Sequence, residues 1–243
     1  MMNATGRSEV PQPFKVTLLS GGQDGGLWQA GVLVELKPGW KTYWRVPGDT
    51  GIPPQFDWNG SENSDAVEVG YPVPSRFNDA GGESIGYHDL VLFPLSVKPR
   101  KVDEAVRLRL NLFFAVCKEI CIPARAKAEL LLNSSTINPL LTDWQRRVPR
   151  IVAMGETPVV TAVRIEMPEN KPMLVLKLTG AANDIFVESE TTAYFGKPQF
   201  DISPGEAWLP ISNVNNAGKL RGLPLRLTLS LGDSAIEQKL VVN

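Results

Sequence analysis

The stretch "VRLRLNLFFAVCKEICIPARAKAELLL", residues 106 to 132, carries the fold in its parity. Val106, Leu108, Leu110, Leu112, Phe114 and Val116 alternate with Arg107, Arg109 and Asn111, the period-two stripe of a half-buried strand. Beyond the two cysteines, Ala124, Ala126, Ala128, Leu130 and Leu132 alternate with Arg125, Lys127 and Glu129. Those alanines would also suit a helix. Folding the two segments back on each other around Lys118, Glu119 and Ile120 makes a hairpin with a short loop, which favours the strand reading. In that register Phe114 meets Ala124, Leu112 meets Ala126, Leu110 meets Ala128 and Leu108 meets Leu130, while Arg109 faces Glu129 as an opposite-charge pair. Cys117 then lies across from Cys121, on the side of Arg109 and Lys127 and away from the apolar stripe. Opposed residues at a non-hydrogen-bonded site have Cα atoms about 4.5 Å apart, within the reach of a disulfide.

The rest of the chain has the same grammar. Its 21 glycines and 20 prolines are scattered between short apolar runs, as in an all-β chain with many turns. "LWQAGVLVEL" (27 to 36) and "LVLFPLSV" (90 to 97) predict strands, whereas residues 38 to 89, rich in Gly, Pro and aromatics, predict long loops and short strands outside the core. "NPLLTDWQRRVP" (138 to 149) places Leu140, Leu141, Trp144 and Val148 on one face of a short helical connector, with Pro139 near its start and Pro149 as its stop. Alternation returns in "VVTAVRIEM" (159 to 167), "PMLVLKLTG" (172 to 180), "AWLPI" (207 to 211), "LPLRLTLSL" (223 to 231) and "AIEQKLVV" (235 to 242). The expectation is two β-sandwich domains, residues 10–135 and 151–243, joined by a helical connector over 136–150. The second has no cysteine or histidine, and reads as a structural or docking domain.

A formal charge of −1 and a pI near 6.0 leave no electrostatic footprint for nucleic acid or a membrane surface. No apolar run approaches the roughly 20 residues that span a bilayer, and "MMNATGRSEVPQPFK" lacks the apolar segment of a signal peptide, so the chain as given is expected to be soluble, without direct membrane insertion. The single histidine, His88, removes most metal sites and most Cys-His or Ser-His-Asp constellations, and is read as a surface or loop residue. Three uses of the cysteines stay open. A structural staple closing so short a loop contributes roughly 2 kcal/mol or less. A Cys-x3-Cys pair with a distant His can hold Cu(I), which thiolates favour, although Ile122 follows the second cysteine and Pro123 comes one later, unlike the CxxxCP of copper chaperones. Thiol-disulfide exchange needs an accessible sulfur, with Lys118 and Arg125 favouring thiolate and Glu119 opposing it.

"VCKEICIP" (116 to 123), preceded by "YHDLVLFPLSV" (87 to 97) and, further upstream, "GWKTYWRVPGDTGIPPQFDW" (39 to 58), resembles the N-terminal periplasmic domain of the DsbD and ScsB thiol-disulfide interchange proteins, in its ScsB-like branch. The likeness covers residues 14 to 133, and residues 151 to 243 resemble the second sandwich of longer ScsB-like ectodomains more loosely. The pair is spaced by three residues as in ScsB-like sequences, where DsbD has five. The resemblance implies an immunoglobulin-like fold for each sandwich, a periplasmic location with the export signal trimmed from the chain, and no cofactor or metal. It also implies a relay of electrons through Cys117 and Cys121, from a membrane-embedded reductase domain to thioredoxin-fold periplasmic proteins. By motif position Cys121 forms the mixed disulfide with the partner and Cys117 resolves it. The different-class alternative is a copper-binding or copper-tolerance module using the same pair. The family shields its pair with an aromatic-bearing cap loop, which here reads "SRFNDAGGESIGYHD". The family's aromatic positions fall on Ala80 and Gly81, so Phe77, with Asn78 and Asp79, is expected to approach the pair instead, and Tyr43 and Trp44 to line the same pocket.

Overall fold

The computed structural model describes residues 12–48, 51–79, 82–134, 136–152, 156, 159–214, 216–232 and 234–243. Ten strands come first: β1 (Phe14–Asp24), β2 (Leu27–Leu36), β3 (Lys41–Gly48), β4 (Gln55–Asp57), β5 (Ser64–Val69), β6 (Ser75–Asp79), β7 (Gly82–His88), β8 (Leu90–Pro99), β9 (Val106–Cys117) and β10 (Cys121–Leu132). After helix α1 (Pro139–Gln145) come β11 (Arg150–Ile151), β12 (Val160–Glu166), β13 (Met173–Leu178), β14 (Asp184–Ser189), β15 (Tyr194–Phe195), β16 (Glu206–Ser212), β17 (Pro224–Ser230) and β18 (Ala235–Val241). Among the described residues the chain is therefore mostly β, with one short α-helix between two groups of sheets.

The β9-β10 hairpin has the register that alternation predicts, from Cys117 opposite Cys121 through to Val106 opposite Leu132. Arg109 reaches Glu129 at 3.4 Å across it. One sheet runs β1-β2-β8-β5 and the other β10-β9-β3-β7-β6, with β4 added on β9. The apolar stripes of both close on one core that buries Val32, Val91, Phe93, Leu108, Leu110, Leu112 and Phe114. At roughly 25 cal/mol per Å² this apolar burial is the main term holding the strands together.

Residues 38 to 89 hold the expected short strands, but not outside the core. They supply β3 to β7, and Trp44, Ile85 and Tyr87 sit inside the first core at 1%, 3% and 6% exposure. Alternation is hidden here because β3 is irregular: Tyr43 pairs with Gly86, yet the next pairing is Gly48 with Ser84, so residues 44 to 47 bulge out of the ladder. Gly86 shows why β3 and β7 approach so closely, since a Cβ there would run into the carbonyl oxygen of Thr42.

Helix α1 starts on Asn138, whose side-chain oxygen accepts from the Leu140 and Leu141 N–H groups. It does more than connect. Leu141 and Trp144 are buried in the first core, and Gln145 Nε2 donates to Gln29 Oε1 at 2.8 Å. Leu140, expected on the same face, is instead 40% exposed, because the docked face is narrower than its four apolar residues suggest.

Two four-stranded sheets follow, β11-β18-β17-β14 and β12-β13-β16-β15. Their core takes Leu225, Leu227 and Leu229 from β17, with Ile185, Val187, Leu174, Leu176 and Leu209. On β14 the alternation serves two neighbours. Ile185 and Val187 enter this second core, whereas Phe186 is buried in the first.

Candidate functional site

Cys117 closes β9 and Cys121 opens β10, so the hairpin itself brings the sulfurs together, and they form a disulfide with Cα atoms 4.1 Å apart. Both project from the outer face of the six-stranded sheet, opposite the core stripe. Their surroundings differ sharply. Cys117 is 4% exposed and packs with Tyr43, Ala115 and Ile52, whereas Cys121 is exposed at a tip flanked by Ile120 and Ile122, which are 74% and 44% exposed.

The neighbouring strand β3 supplies the cover. Lys41 pairs with Cys117 and Thr42 with Val116, and the Thr42 hydroxyl donates to the Ala115 carbonyl at 2.9 Å. Two residues along, Tyr43 lies on the same outer face as Lys41, 1% exposed, with its hydroxyl 3.1 Å from Cys117 Sγ and 3.0 Å from Cys121 Sγ. Bonded sulfurs carry no proton, so the phenol donates to both. Gly51 lies flat on the Tyr43 ring, where a Cβ would stand 2.6 Å from its Cδ1, and Ile52 continues the lid over Cys117.

The residues read as a cap occupy the β6-β7 hairpin. Phe77 pairs with Ser84 on the far side of β7, its ring edge-on to His88 with centroids 4.4 Å apart. Lys41, 4% exposed, links this group to the disulfide: its backbone lies opposite Cys117, while its ammonium reaches Ser84 Oγ at 2.8 Å and sits 5.4 Å above the Phe77 ring. Asn78 is exposed and pairs with Glu83. Asp79 ends β6, and its side chain lies outside the described structure, as do Ala80 and Gly81, where the family aromatic was expected. Trp44 belongs to the opposite, core-facing side, tilted against Phe186 with ring centroids 5.6 Å apart. His88 is exposed at the end of β7, paired with Lys41, two strands and so roughly 10 Å from Cys117. Among the described residues no three His, Cys, Asp or Glu side chains gather as metal ligands would. Sequence reasoning missed Lys41, Gly51, Ile52 and Gly86 at this site. Of these only Gly86 leaves a trace, as an isolated glycine inside a strand.

Against models of known families, residues 9–133 match the family described as thiol:disulfide interchange protein DsbD, N-terminal. The chain belongs to the DsbD N-terminal family. Residues 147–243 match a second family, described only as a domain of unknown function. Among solved structures, the N-terminal periplasmic domain of ScsB from Proteus mirabilis aligns with 93% of this chain and 92% of its own at 23% identity and a TM-score of 0.69. That likeness of fold extends over both groups of sheets. The full ectodomain of mouse nectin-like molecule 4 aligns with 96% of this chain and 64% of its own at 11% identity, but its TM-score of 0.23 carries no argument. No curated protein sequence matches the chain. Membership of the DsbD N-terminal family, together with a disulfide formed by the Cys-x3-Cys pair, supports a role in thiol-disulfide relay. Among the described residues no helix is long and apolar enough to cross a membrane.

Proposed function

We propose that this chain is the periplasmic interchange module of a longer electron relay. It takes two electrons from a membrane-embedded reductase domain and hands them to thioredoxin-fold proteins of the periplasm. The observation that carries the reading is the asymmetry of the bond: one sulfur buried, one exposed, and a phenol hydroxyl within hydrogen-bond reach of both. In the loading half, a donor thiolate attacks exposed Cys121 Sγ, the Cys117–Cys121 bond breaks and Cys117 leaves as a thiolate. The donor's second thiolate then attacks the mixed disulfide, leaving the pair as a dithiol and the donor oxidised. In the unloading half, the Cys121 thiolate attacks a target disulfide, and Cys117 then attacks Cys121 Sγ to release the target reduced. Tyr43 donates to whichever sulfur carries the charge. The β6-β7 hairpin, the segment of Phe77, Asn78 and Asp79, forms the cap on this pocket through Phe77, and Trp44 supports it from the core side.

The chain is read as two immunoglobulin-like sandwiches over 10–135 and 151–243, with 136–150 as the linker. The copper reading gains no support from His88, whose backbone stands two strands from the pair. Trapping tests the relay directly. In the parent organism's periplasm, Cys117→Ala accumulates mixed disulfides through Cys121 to thioredoxin-fold proteins, because the resolving thiol is gone. The idea fails if Cys117→Ala traps nothing, or if Cys121→Ala traps the same partners equally well.

A further inference from the structure

The second group of sheets, whose matching family is of unknown function, touches the first through one face of the β11-β18-β17-β14 sheet and through Tyr194 of β15. Phe186, Thr228 and Glu237 lie in one row across it, and all three are buried although they point away from their own core. What Phe186 and Glu237 meet is the back of the sheet whose front carries the disulfide. Arg45, in the β3 bulge, donates from Nε to both Glu188 carboxylate oxygens at 3.0 Å, and from its terminal nitrogen to Glu188 at 2.6 Å and Glu237 at 2.7 Å. Arg76, on β6, donates from Nε to both Asp184 oxygens at 3.0 Å, from Nη2 to the Ile185 carbonyl at 2.7 Å and from Nη1 to Glu83 of its own hairpin at 2.6 Å. The Tyr194 hydroxyl donates to that same Glu83. Phe186 lies under the Arg76 guanidinium and against Trp44.

We propose that the second sandwich is a brace for the redox sheet, with Asp184, Glu188 and Tyr194 as positioning residues that hold the β3 bulge and the β6-β7 hairpin against the disulfide. Both gripped elements lead straight to the cover of Cys117. Pro47 of the bulge packs directly on Gly51, which with Ile52 lies on Tyr43 and Cys117. The hairpin carries Phe77 on the face opposite to Arg76, so anchoring Arg76 at the back fixes Phe77 at the front. A bulge and a two-stranded edge hairpin are the parts of a sheet with the fewest ladder bonds of their own, and so the parts that open locally first. Buried ion pairs are weak devices for stability, because desolvation offsets their attraction, but they discriminate strongly between geometries. Asp184 illustrates the point: burial lifts its carboxyl above the ordinary aspartate range despite the Arg76 guanidinium beside it. Tyr43 itself stays in place through the pairing of Lys41 and Thr42 with β9, so loosening the brace uncovers Cys117 without removing its hydrogen-bond donor.

The inference rests on Cys117–Cys121 being the exchanging bond, yet its test needs no protein partner. In a Cys121→Ala background of the full chain, the alkylation rate of Cys117 by iodoacetamide is compared with and without Glu188→Ala plus Asp184→Ala, alongside hydrogen exchange of residues 44–48 and 75–88. Loss of two charge-assisted anchors raises both the alkylation rate and the exchange of those amides by about tenfold or more. Parental alkylation and exchange in a variant that has kept its thermal transition overturn the brace and leave the relay standing. Should the double variant fail to fold, Glu188→Gln with Tyr194→Phe keeps both side-chain volumes and is judged by the same two readings.

Discussion

Replacing Tyr43 by Phe removes one oxygen from a position where it serves both sulfurs, at 3.1 Å from Cys117 Sγ and 3.0 Å from Cys121 Sγ. The ring stays, packed under Gly51 and beside Ile52, so the change is chemical and not steric. Against the bonded sulfurs the phenol is a neutral donor, whereas against a Cys117 thiolate it is charge-assisted. Those two kinds of hydrogen bond contribute about 1 and about 1.5–3 kcal/mol, so the thiolate loses roughly 0.5–2 kcal/mol more than the disulfide does. About half of the charge has developed on the leaving sulfur in the exchange transition state. The rate of reduction by dithiothreitol therefore falls by about 1.5- to 5-fold. In a Cys121→Ala background, where Cys117 is the only thiol, alkylation at fixed neutral pH falls by a similar factor: the thiolate fraction drops, and higher intrinsic nucleophilicity returns about half of the loss. The assay is stopped-flow reduction followed by tyrosine and tryptophan fluorescence, with alkylation followed by mass. Parental rates in both measurements would refute the claim that the phenol senses charge on Cys117, and a changed thermal transition would show that the substitution acted on packing instead.

Other consequences are open to simpler tests. Gly86→Ala forces a methyl group toward the Thr42 carbonyl oxygen, and overpacking of this kind costs about 1–3 kcal/mol, read as a lower denaturant midpoint with an unchanged slope. In the second sandwich, the Arg164 guanidinium beside Glu206 holds its carboxyl below the usual glutamate value of 4.5. A carboxyl depressed in the folded state adds stability that is complete above its unfolded value and is lost as pH falls through the folded one. Glu206→Gln therefore lowers the melting temperature slightly at neutral pH and not at all in strong acid. A deficit that persists unchanged at the lowest pH would contradict the pairing.

Much of the first sandwich was legible because its longest strands are locally regular. The β9-β10 register follows from alternation and charge alone, and it alone suffices to set Cys117 opposite Cys121 off the core face. The same arithmetic found β2, β8, β13, β17 and β18. It failed over residues 38 to 89, where the bulge after Tyr43 breaks the period and short paired strands sit among prolines and glycines. It also gives no sign that Thr228 and Glu237 are covered, because a polar residue on the outer side of a strand reads the same whether water or another sandwich covers it.

The division follows from range. Hairpin pairing is decided between residues a few positions apart, so the sequence by itself determined that the two cysteines face each other within reach of a disulfide and which side of the sheet they occupy. Which sulfur is buried depends on β3 lying beside β9, some 75 residues away in the chain, and on the segment from Gly51 to Ile52 folding over Tyr43. The grip of β14 on Arg76 joins residues 108 positions apart. Such contacts leave no periodic trace, since they are made by single side chains meeting across a completed core. Only the tertiary structure could turn a symmetric pair of cysteines into one exposed sulfur, one covered sulfur and a phenol between them.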